Sequence, residues 1–363
     1  MTRSDSPIAC GIDSRLANLH RALQAAGLDV SELGQMADTG LAHEHVWLYR
    51  RNGADWVARV PKQSQMRLAP QANLDYQACC FARASQGGHT PALHAVLPPS
   101  DALPRGGLVV SAIDGRTAQL PRDLPAIARA LASLHRLSLP HPAARTPLLA
   151  PHSPWPALIE EIRDQASYLA QADISADTHS QIFEEFEHLE AWLAESQPSS
   201  TALISFDAHP GNFLIQDDGH AVLVDLEKCR YGLPGLDLAH ATLYTSTTWD
   251  IATHAELSVE EVHGFYRHWA TAMGDDDRHR DQDTMLQCRR AMWLWSVTWC
   301  AKWRVENHHS HDATAGGEDW STELSDPALI AHVRDRVNHY LSPRIVARVC
   351  TELQYLQRLD LFG

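Results

Sequence analysis

Four oxygen-bearing side chains surround one short apolar hairpin in this chain. The segment SFDAHPGNFLIQDDGHAVLVDLEK covers residues 205–228 and contains Asp207, Asn212, Asp225 and Glu227. Because Asp and Asn are poor strand residues, their position at the ends of apolar strands indicates a function.

The register of this hairpin decides which of the four side chains lie together. If Asp218 and Gly219 form a two-residue turn, Asn212 lies directly opposite Asp225. Directly opposed residues have Cβ atoms about 4.5–5.5 Å apart, so an amide oxygen and a carboxylate could bind one cation. Glu227 shares that face if the strand continues.

An all-oxygen set of this kind is typical of a magnesium site, and it predicts phosphoryl transfer. Mg²⁺ takes a few protein oxygens and completes its shell with water and phosphate oxygens. Asp207, beside such a metal, could orient a substrate hydroxyl and accept its proton. The alternative is that Asp207 and Asn212 only build a turn, and that Asp225 and Glu227 are surface residues at a strand end.

The composition is that of a globular protein long enough for two domains. Of 363 residues, 44% are apolar and 21% charged, and 45 acidic against 30 basic residues give a net charge of -15. This charge disfavours nucleic acid and anionic membranes as partners. Seven cysteines without metal-type spacing, no signal-peptide pattern and no long apolar run predict a soluble cytoplasmic protein. The sequence leaves the oligomeric state open.

The elements around the hairpin predict an α+β protein, with a small β-rich N-terminal part and a larger, mainly helical part. Asn52-Gly53 between two apolar runs predicts a first hairpin, in which Val46 opposes Arg59 on an apolar face. Amphipathic patterns predict helices over 13–26 and 124–137, among others. The catalytic-looking hairpin lies inside the helical part.

The ordered residues resemble the catalytic motif of the aminoglycoside phosphotransferase and choline kinase family, which has a protein-kinase-like fold. The family pattern is approximately H-G-D-x-x-x-x-N, then a strand that ends in D-x-E, then D-L-A. The matching residues here are Ser205-Phe206-Asp207, Asn212, Asp225-Leu226-Glu227 and Asp237-Leu238-Ala239.

The resemblance implies a bilobal fold and an ATP- and Mg²⁺-dependent small-molecule kinase. We expect an N-terminal helical extension over 1–38, a nucleotide-binding N-lobe over 39–113 and a C-lobe over 114–363. Asp207 looks like the catalytic base, Asn212 and Asp225 look like the Mg²⁺ ligands, and Asp237 looks like an acid that anchors the loop.

Five residues resemble the nucleotide-binding positions of the family. VARVPK puts Arg59 in the place of the phosphate-binding base, with Lys62 as the alternative, and VVSAIDG resembles the hinge that receives adenine. The cofactor-binding residues are therefore predicted to be Arg59, Lys62, Gln77, Ser111 and Ile113.

The acceptor is predicted to be a small molecule with a hydroxyl group, either cationic or sugar-like: an aminoglycoside, an amino-alcohol or an aminosugar. Choline-kinase-like relatives use aromatic residues in the region that here holds Trp295, Trp299 and Trp303, at four-residue steps. These tryptophans and Glu227 are the predicted acceptor-site residues. A tryptophan stripe that packs in the core is the alternative.

Two departures from the family pattern raise a second hypothesis. Gln77 stands where the family has a glutamate that pairs with the phosphate-binding base, and Ser205 stands where it has a histidine. Gln77 could still form a hydrogen bond with Arg59. The alternative to a kinase is a pseudokinase, a catalytically impaired nucleotide-binding or scaffold protein.

Overall fold

The computed structural model describes residues 7–37, 40–64, 66–195, 200–276, 279, 281–308 and 325–362. The first six residues of the predicted N-terminal extension lie outside this part. The helices are α1 (Pro7–Ala25), α2 (Pro70–Ala84), α3 (Leu124–His135), α4 (Pro154–Ala166), α5 (Ala176–Glu195), α6 (Pro234–Thr242), α7 (Tyr244–Thr247), α8 (Val259–Met273), α9 (Gln282–His308), α10 (Pro327–Tyr340) and α11 (Pro343–Leu356). The strands are β1 (Glu32–Gln35), β2 (His43–Tyr49), β3 (Trp56–Pro61), β4 (Leu93–Leu97), β5 (Gly107–Ser111), β6 (Arg116–Thr117), β7 (Ala202–Ile204), β8 (Phe213–Ile215), β9 (Ala221–Leu223) and β10 (Arg230–Gly232).

The chain divides into two compact units. Its antiparallel sheets and helices confirm the predicted α+β class. Within the described residues, the first unit takes in the chain up to Ala78, Pro91–Ala112 and the stretch that ends at Ile330. The second unit holds Cys79–Thr90 and most of the chain after Ile113. Among the described residues, no helix has both the length and the apolar character needed to span a bilayer.

The first unit is built on an antiparallel sheet in the order β1-β2-β3-β5-β4. One face of this sheet covers a hydrophobic core, to which α1 contributes Leu19 and Leu23. Val46, Leu48 and Ala58 supply the sheet side of that core, and each is at most 1% exposed. The alternation of buried and more exposed residues along β2 and β3 therefore reflects the burial of one face of the sheet.

The predicted register of the β2–β3 hairpin was wrong by one residue. Val46 pairs with Ala58, and Arg59 pairs with His45. The connection takes six residues instead of two, because the carboxylate of Asp55 accepts hydrogen bonds from Trp47 Nε1 (2.9 Å) and from the Arg50 amide (3.0 Å). A shift of one residue moves every side chain to the other face. Arg59 thus lies on the face opposite the hydrophobic core.

The second unit holds two small sheets and most of the helices. β10 pairs with β7, and β8 lies between β6 and β9. The long helix α9 packs against α4, α5 and α6, while α3 packs against α8. The segment that follows β7 and the β8–β9 hairpin carry the predicted catalytic residues, so this unit supports the candidate site.

Helix α6 approaches α9 so closely that one of its residues must lack a side chain. A Cβ atom at Gly235 would lie 2.7 Å from Cys288 Cβ and 2.8 Å from Met285 Sδ. Gly264 in α8 is different, since a Cβ atom there would meet nothing within 4 Å.

We expect Gly235→Ala to lower the free energy of unfolding by about 1–3 kcal/mol, because it overpacks the α6–α9 contact. Gly264→Ala is the matched control and should raise the free energy of unfolding by about 0.5–1 kcal/mol, since alanine favours the helix. Urea unfolding of both variants measures the difference. Equal stability of the two variants would contradict the close approach of α6 and α9.

Candidate active site

The loop after β7 is held in a strained conformation just before Asp207. Phe206 has φ 58°, a left-handed conformation that is uncommon for a residue with a side chain. The carboxylate of Asp237 accepts hydrogen bonds from the Ser205 amide (2.7 Å) and the Phe206 amide (2.8 Å). The Ser205 hydroxyl accepts one from the Asp207 amide (3.1 Å). The prediction that Asp237 anchors this loop is confirmed.

A chain of buried hydrogen bonds orients Asp237 in turn. Trp269 Nε1 donates to His135 Nδ1 at 3.0 Å, so that nitrogen must be an acceptor. His135 Nε2 therefore carries the proton and donates it to Asp237 Oδ2 at 3.1 Å. Asp237 is 0% exposed, and both of its oxygens are engaged.

The predicted register of the catalytic hairpin was also wrong by one residue. Phe213 pairs with Leu223, and the amide of Val224 donates to the carbonyl of Asn212 at 2.9 Å. The turn has three residues, 217–219, and ends at Gly219 with φ 81°. Asn212 and Asp225 are therefore not directly opposed across a ladder.

Three carboxylates nevertheless converge. Oxygens of Asp207, Asp225 and Glu227 lie within 4.8 Å of one another. Strand β9 ends at Leu223, so the predicted continuous strand does not carry Glu227 to this place. A turn at residues 227–228 does.

The side-chain amide of Asn212 is hydrogen-bonded to the same loop. Its Nδ2 donates to the backbone carbonyl of Asp207 at 2.8 Å, which leaves Oδ1 as the side-chain atom that could bind a cation. Together with the carboxylate oxygens of Asp207, Asp225 and Glu227, this gives an all-oxygen donor set of the kind that Mg²⁺ takes.

Asp207 is ion-paired inside this cluster. Its Oδ2 lies 3.0 Å from Lys228 Nζ, its Oδ1 lies 4.0 Å from His240 Nδ1, and its side chain is 13% exposed. Burial by itself raises the pKa of Asp207, but Lys228 and the nearby imidazoles of His209 and His240 outweigh burial and hold this pKa below its ordinary value. The carboxylate is therefore ionised at neutral pH, as a proton acceptor must be.

The pKa values of the two neighbouring bases, Lys228 and His240, are shifted in opposite directions. Burial lowers the pKa of Lys228, but Asp207 and Glu227 more than compensate, so the pKa of its ammonium is raised. Burial lowers the pKa of His240 to about 4, although Asp207 opposes this shift. Lys228 is thus charged and His240 neutral at physiological pH.

The predicted nucleotide-binding residues are distributed over both units. Arg59 lies in β3, Lys62 directly follows that strand, and Ser111 ends β5. Gln77 lies in α2, and its Oε1 is 2.9 Å from His43 Nε2. The side-chain oxygen of Gln77 is therefore hydrogen-bonded to His43. These four belong to the first unit and Ile113 to the second.

The predicted tryptophan stripe does not form one surface. Trp295 and Trp299 are half-buried, and Trp299 contacts Trp249 edge to face at 5.8 Å between ring centroids. Trp303 is 2% exposed, so it packs in the interior, and its ring is not accessible to an acceptor.

Sequence reasoning missed two residues that contact Asp207. Lys228 directly follows the D-x-E pair, and His240 directly follows the D-L-A triplet. A lysine next to two clustered acids was a signal for an ion pair. The signal for His240 was its position three residues after Asp237, one helical turn along α6.

The comparisons with known proteins identify the class to which this site belongs. The profile of the phosphotransferase enzyme family matches residues 38–275, more than half of the chain. The chain belongs to the phosphotransferase enzyme family. It is an enzyme, a small-molecule kinase with an alcohol group as acceptor. No curated protein matches its sequence.

Solved structures share the fold at low sequence identity. A spectinomycin phosphotransferase in complex with ADP and spectinomycin has 10% identity and a TM-score of 0.58, with 90% of this chain and 94% of that chain covered. The choline kinase LicA from Streptococcus pneumoniae has 14% identity and a TM-score of 0.54, with coverage of 90% and 99%. A macrolide 2'-phosphotransferase from Brachybacterium faecium has 15% identity and a TM-score of 0.56, with coverage of 90% and 98%. These similarities confirm the predicted protein-kinase-like fold.

We expect Asp237→Asn to lower the free energy of unfolding by about 2–4 kcal/mol, because an amide cannot accept from three buried N–H groups at once. Asp217→Asn, at the exposed hairpin turn, is the control and should change it by less than about 0.5 kcal/mol. Urea unfolding gives both values. A stable Asp237→Asn protein would mean that the loop does not depend on this carboxylate.

The pKa of His240 predicts a pH dependence of stability. The imidazole titrates near 6.5 when unfolded and at about 4 when folded, so below 6.5 the unfolded chain binds the extra proton. The free energy of unfolding should fall by on the order of 3 kcal/mol between pH 6.5 and 4. In His240→Gln this decrease in the free energy of unfolding should be absent, whereas His254→Gln, at an exposed position, should retain it. Urea unfolding over this pH range tests the difference, and an unchanged slope in His240→Gln contradicts the assignment.

Proposed function

We propose that the protein is an ATP- and Mg²⁺-dependent kinase that transfers the γ-phosphate to a hydroxyl of a cationic or sugar-like small molecule. The observation that supports this most is the convergence of Asp207, Asp225 and Glu227 within 4.8 Å, in a chain of the phosphotransferase enzyme family. Phosphoryl transfer depends mainly on alignment and charge neutralisation, which such a cluster can supply.

Asp207 is the proposed catalytic base. Its lowered pKa keeps the carboxylate ionised, so it can accept a hydrogen bond from the acceptor hydroxyl and then the proton. The strained turn at Phe206 and the amide bonds to Asp237 fix its backbone. Ser205 takes over the bracing that the family assigns to a histidine, since its hydroxyl binds the Asp207 amide.

Asn212 and Asp225 are the proposed Mg²⁺ ligands, with Glu227 next to them either as a ligand through water or as part of the acceptor site. A bound Mg²⁺ would neutralise negative charge on the phosphates. The bond from Asn212 Nδ2 to the Asp207 carbonyl supports this role, because it fixes the amide and leaves Oδ1 to bind the metal ion.

The proposed nucleotide residues are Arg59, with Lys62 as the alternative, for the phosphates, and Ser111 and Ile113 for adenine. Gln77 supports the phosphate-binding region through His43. In this proposal residues 39–113 form the nucleotide-binding lobe, and residues 114–363 carry catalysis and the acceptor. The free thiols among the described cysteines support a cytoplasmic location.

A pseudokinase is the second candidate, and two contacts favour it. The amide oxygen of Gln77 is bound to His43, and Asp207 is already paired with Lys228 at 3.0 Å. If this ion pair held Asp207 away from the acceptor hydroxyl, the base could not work, and only nucleotide binding would remain.

We expect Asp207→Ala to lower turnover by about 10²–10⁴-fold and to leave Mg-ATP binding intact, because only proton acceptance and hydroxyl alignment are lost. Asp225→Ala should weaken Mg-ATP binding itself, and the exposed control Asp217→Asn should change neither property. The measurement is transfer of labelled γ-phosphate to a panel of amino-alcohols, aminosugars, aminoglycosides, neutral sugars and thiamine, together with equilibrium binding of Mg-ATP.

The outcomes separate the two candidates. Label on one acceptor, lost in Asp207→Ala, supports the kinase. Bound Mg-ATP without transfer to any acceptor supports the pseudokinase, and normal turnover by Asp207→Ala would exclude Asp207 as the base.

A further inference from the structure

Lys228 places a positive charge directly beside the proposed base. Its ammonium lies 3.0 Å from Asp207 Oδ2 and 5.8 Å from the centre of the Trp295 ring. The second distance is within the range of a cation–π contact. Its side chain is only 14% exposed, so it is held in place and does not extend into solvent.

A second cation of the chain occupies the neighbouring aromatic face. The guanidinium of Arg230 stacks 3.7 Å above the centre of the Phe206 ring and lies 2.9 Å from Glu161 Oε2. The other oxygen of Glu161 accepts a hydrogen bond from Trp295 Nε1 at 2.8 Å. Phe206 and Trp295 contact each other edge to face, so these side chains form one connected group.

The charges of this group are already balanced. Asp207 pairs with Lys228, and Glu161 pairs with Arg230. Asp225 and Glu227 would be neutralised by a divalent metal ion in the proposed site. With that ion bound, each carboxylate among these residues would face a positive charge, and a cation that approaches the Trp295 ring meets the like charge of Lys228.

We propose that Lys228 is a specificity-determining residue, which selects acceptors with no positive charge beside the reactive hydroxyl, such as neutral sugars and polyols. The inference rests on the proposed function and narrows its acceptor from cationic or sugar-like to the neutral sugar-like class. A hydroxyl needs only one oxygen of Asp207, and Oδ1 is the oxygen that Lys228 leaves open. An ammonium group beside that hydroxyl would lie close to the like charge of Lys228.

The test compares two probes of equal shape, choline and its neutral isostere 3,3-dimethyl-1-butanol. Their affinities are measured by equilibrium binding, with and without Mg-ADP, to the wild type, Lys228→Met and Lys228→Arg. Thermal unfolding and Mg-ADP binding show whether each variant is folded. Because no turnover is needed, the result does not depend on whether the protein proves to be an active kinase.

We expect the ratio of choline affinity to isostere affinity to rise by about tenfold in Lys228→Met, because a like charge is removed and a ring face is vacated. Lys228→Arg keeps the charge and should keep the wild-type ratio. An unchanged ratio in a folded Lys228→Met protein would overturn the proposal.

The wild type provides an independent check should Lys228→Met not fold. Wild-type protein that binds choline more tightly than its isostere in the presence of Mg-ADP contradicts the proposal directly. A preference for the isostere in that state supports it. In the transfer assay, phosphorylation of a neutral sugar in preference to the corresponding aminosugar would also support the proposal.

Discussion

The candidate site depends on one carboxylate, that of Asp237, which accepts hydrogen bonds from two backbone amides of the loop before Asp207. At the turn before Asp207 the chain runs through a left-handed residue, Phe206, and the amides of Ser205 and Phe206 donate to a side chain instead of a backbone carbonyl. Asp237 binds both of them and is itself oriented by His135. A charged acceptor strengthens both bonds, which offsets the strain of the turn. The position of the base therefore depends on a residue of α6, thirty positions further along the chain.

The types of elements and the composition of the site could be predicted from the sequence, because both follow from local patterns. Apolar alternation identified the strands around Arg59 and around Asn212, and the order of acids and amide identified the candidate chemistry. The contact between Asp237 and the loop was also predictable, through the resemblance to the phosphotransferase family. These features depend on residue type and order, which the sequence states directly.

The two registers could not be predicted, because they depend on how turn side chains bind the backbone. Asp55 lengthens the first turn by binding Trp47 and Arg50. In the second turn, the Asp218 carboxylate accepts from the His220 amide, and Gly219 adopts a positive φ. In both hairpins, bonds from turn side chains to the backbone favour a turn longer than two residues. Glu227 lies beside Asp225 as predicted, but not along a continued strand. It reaches the cluster through a turn after the strand has ended.

Phe206 connects the base to the acceptor region in a way that restricts how this protein could evolve. Its backbone carries the strained turn next to Asp207, while its ring supports Arg230 and contacts Trp295. Substitutions at these positions share partners, so their effects are coupled and do not add. Glu161, whose side chain is 35% exposed, carries no part of the turn, but it binds both Arg230 and Trp295, so a substitution there is coupled to the same group. In evolutionary terms, the acceptor region is constrained by epistasis, and a new acceptor preference would need coordinated changes.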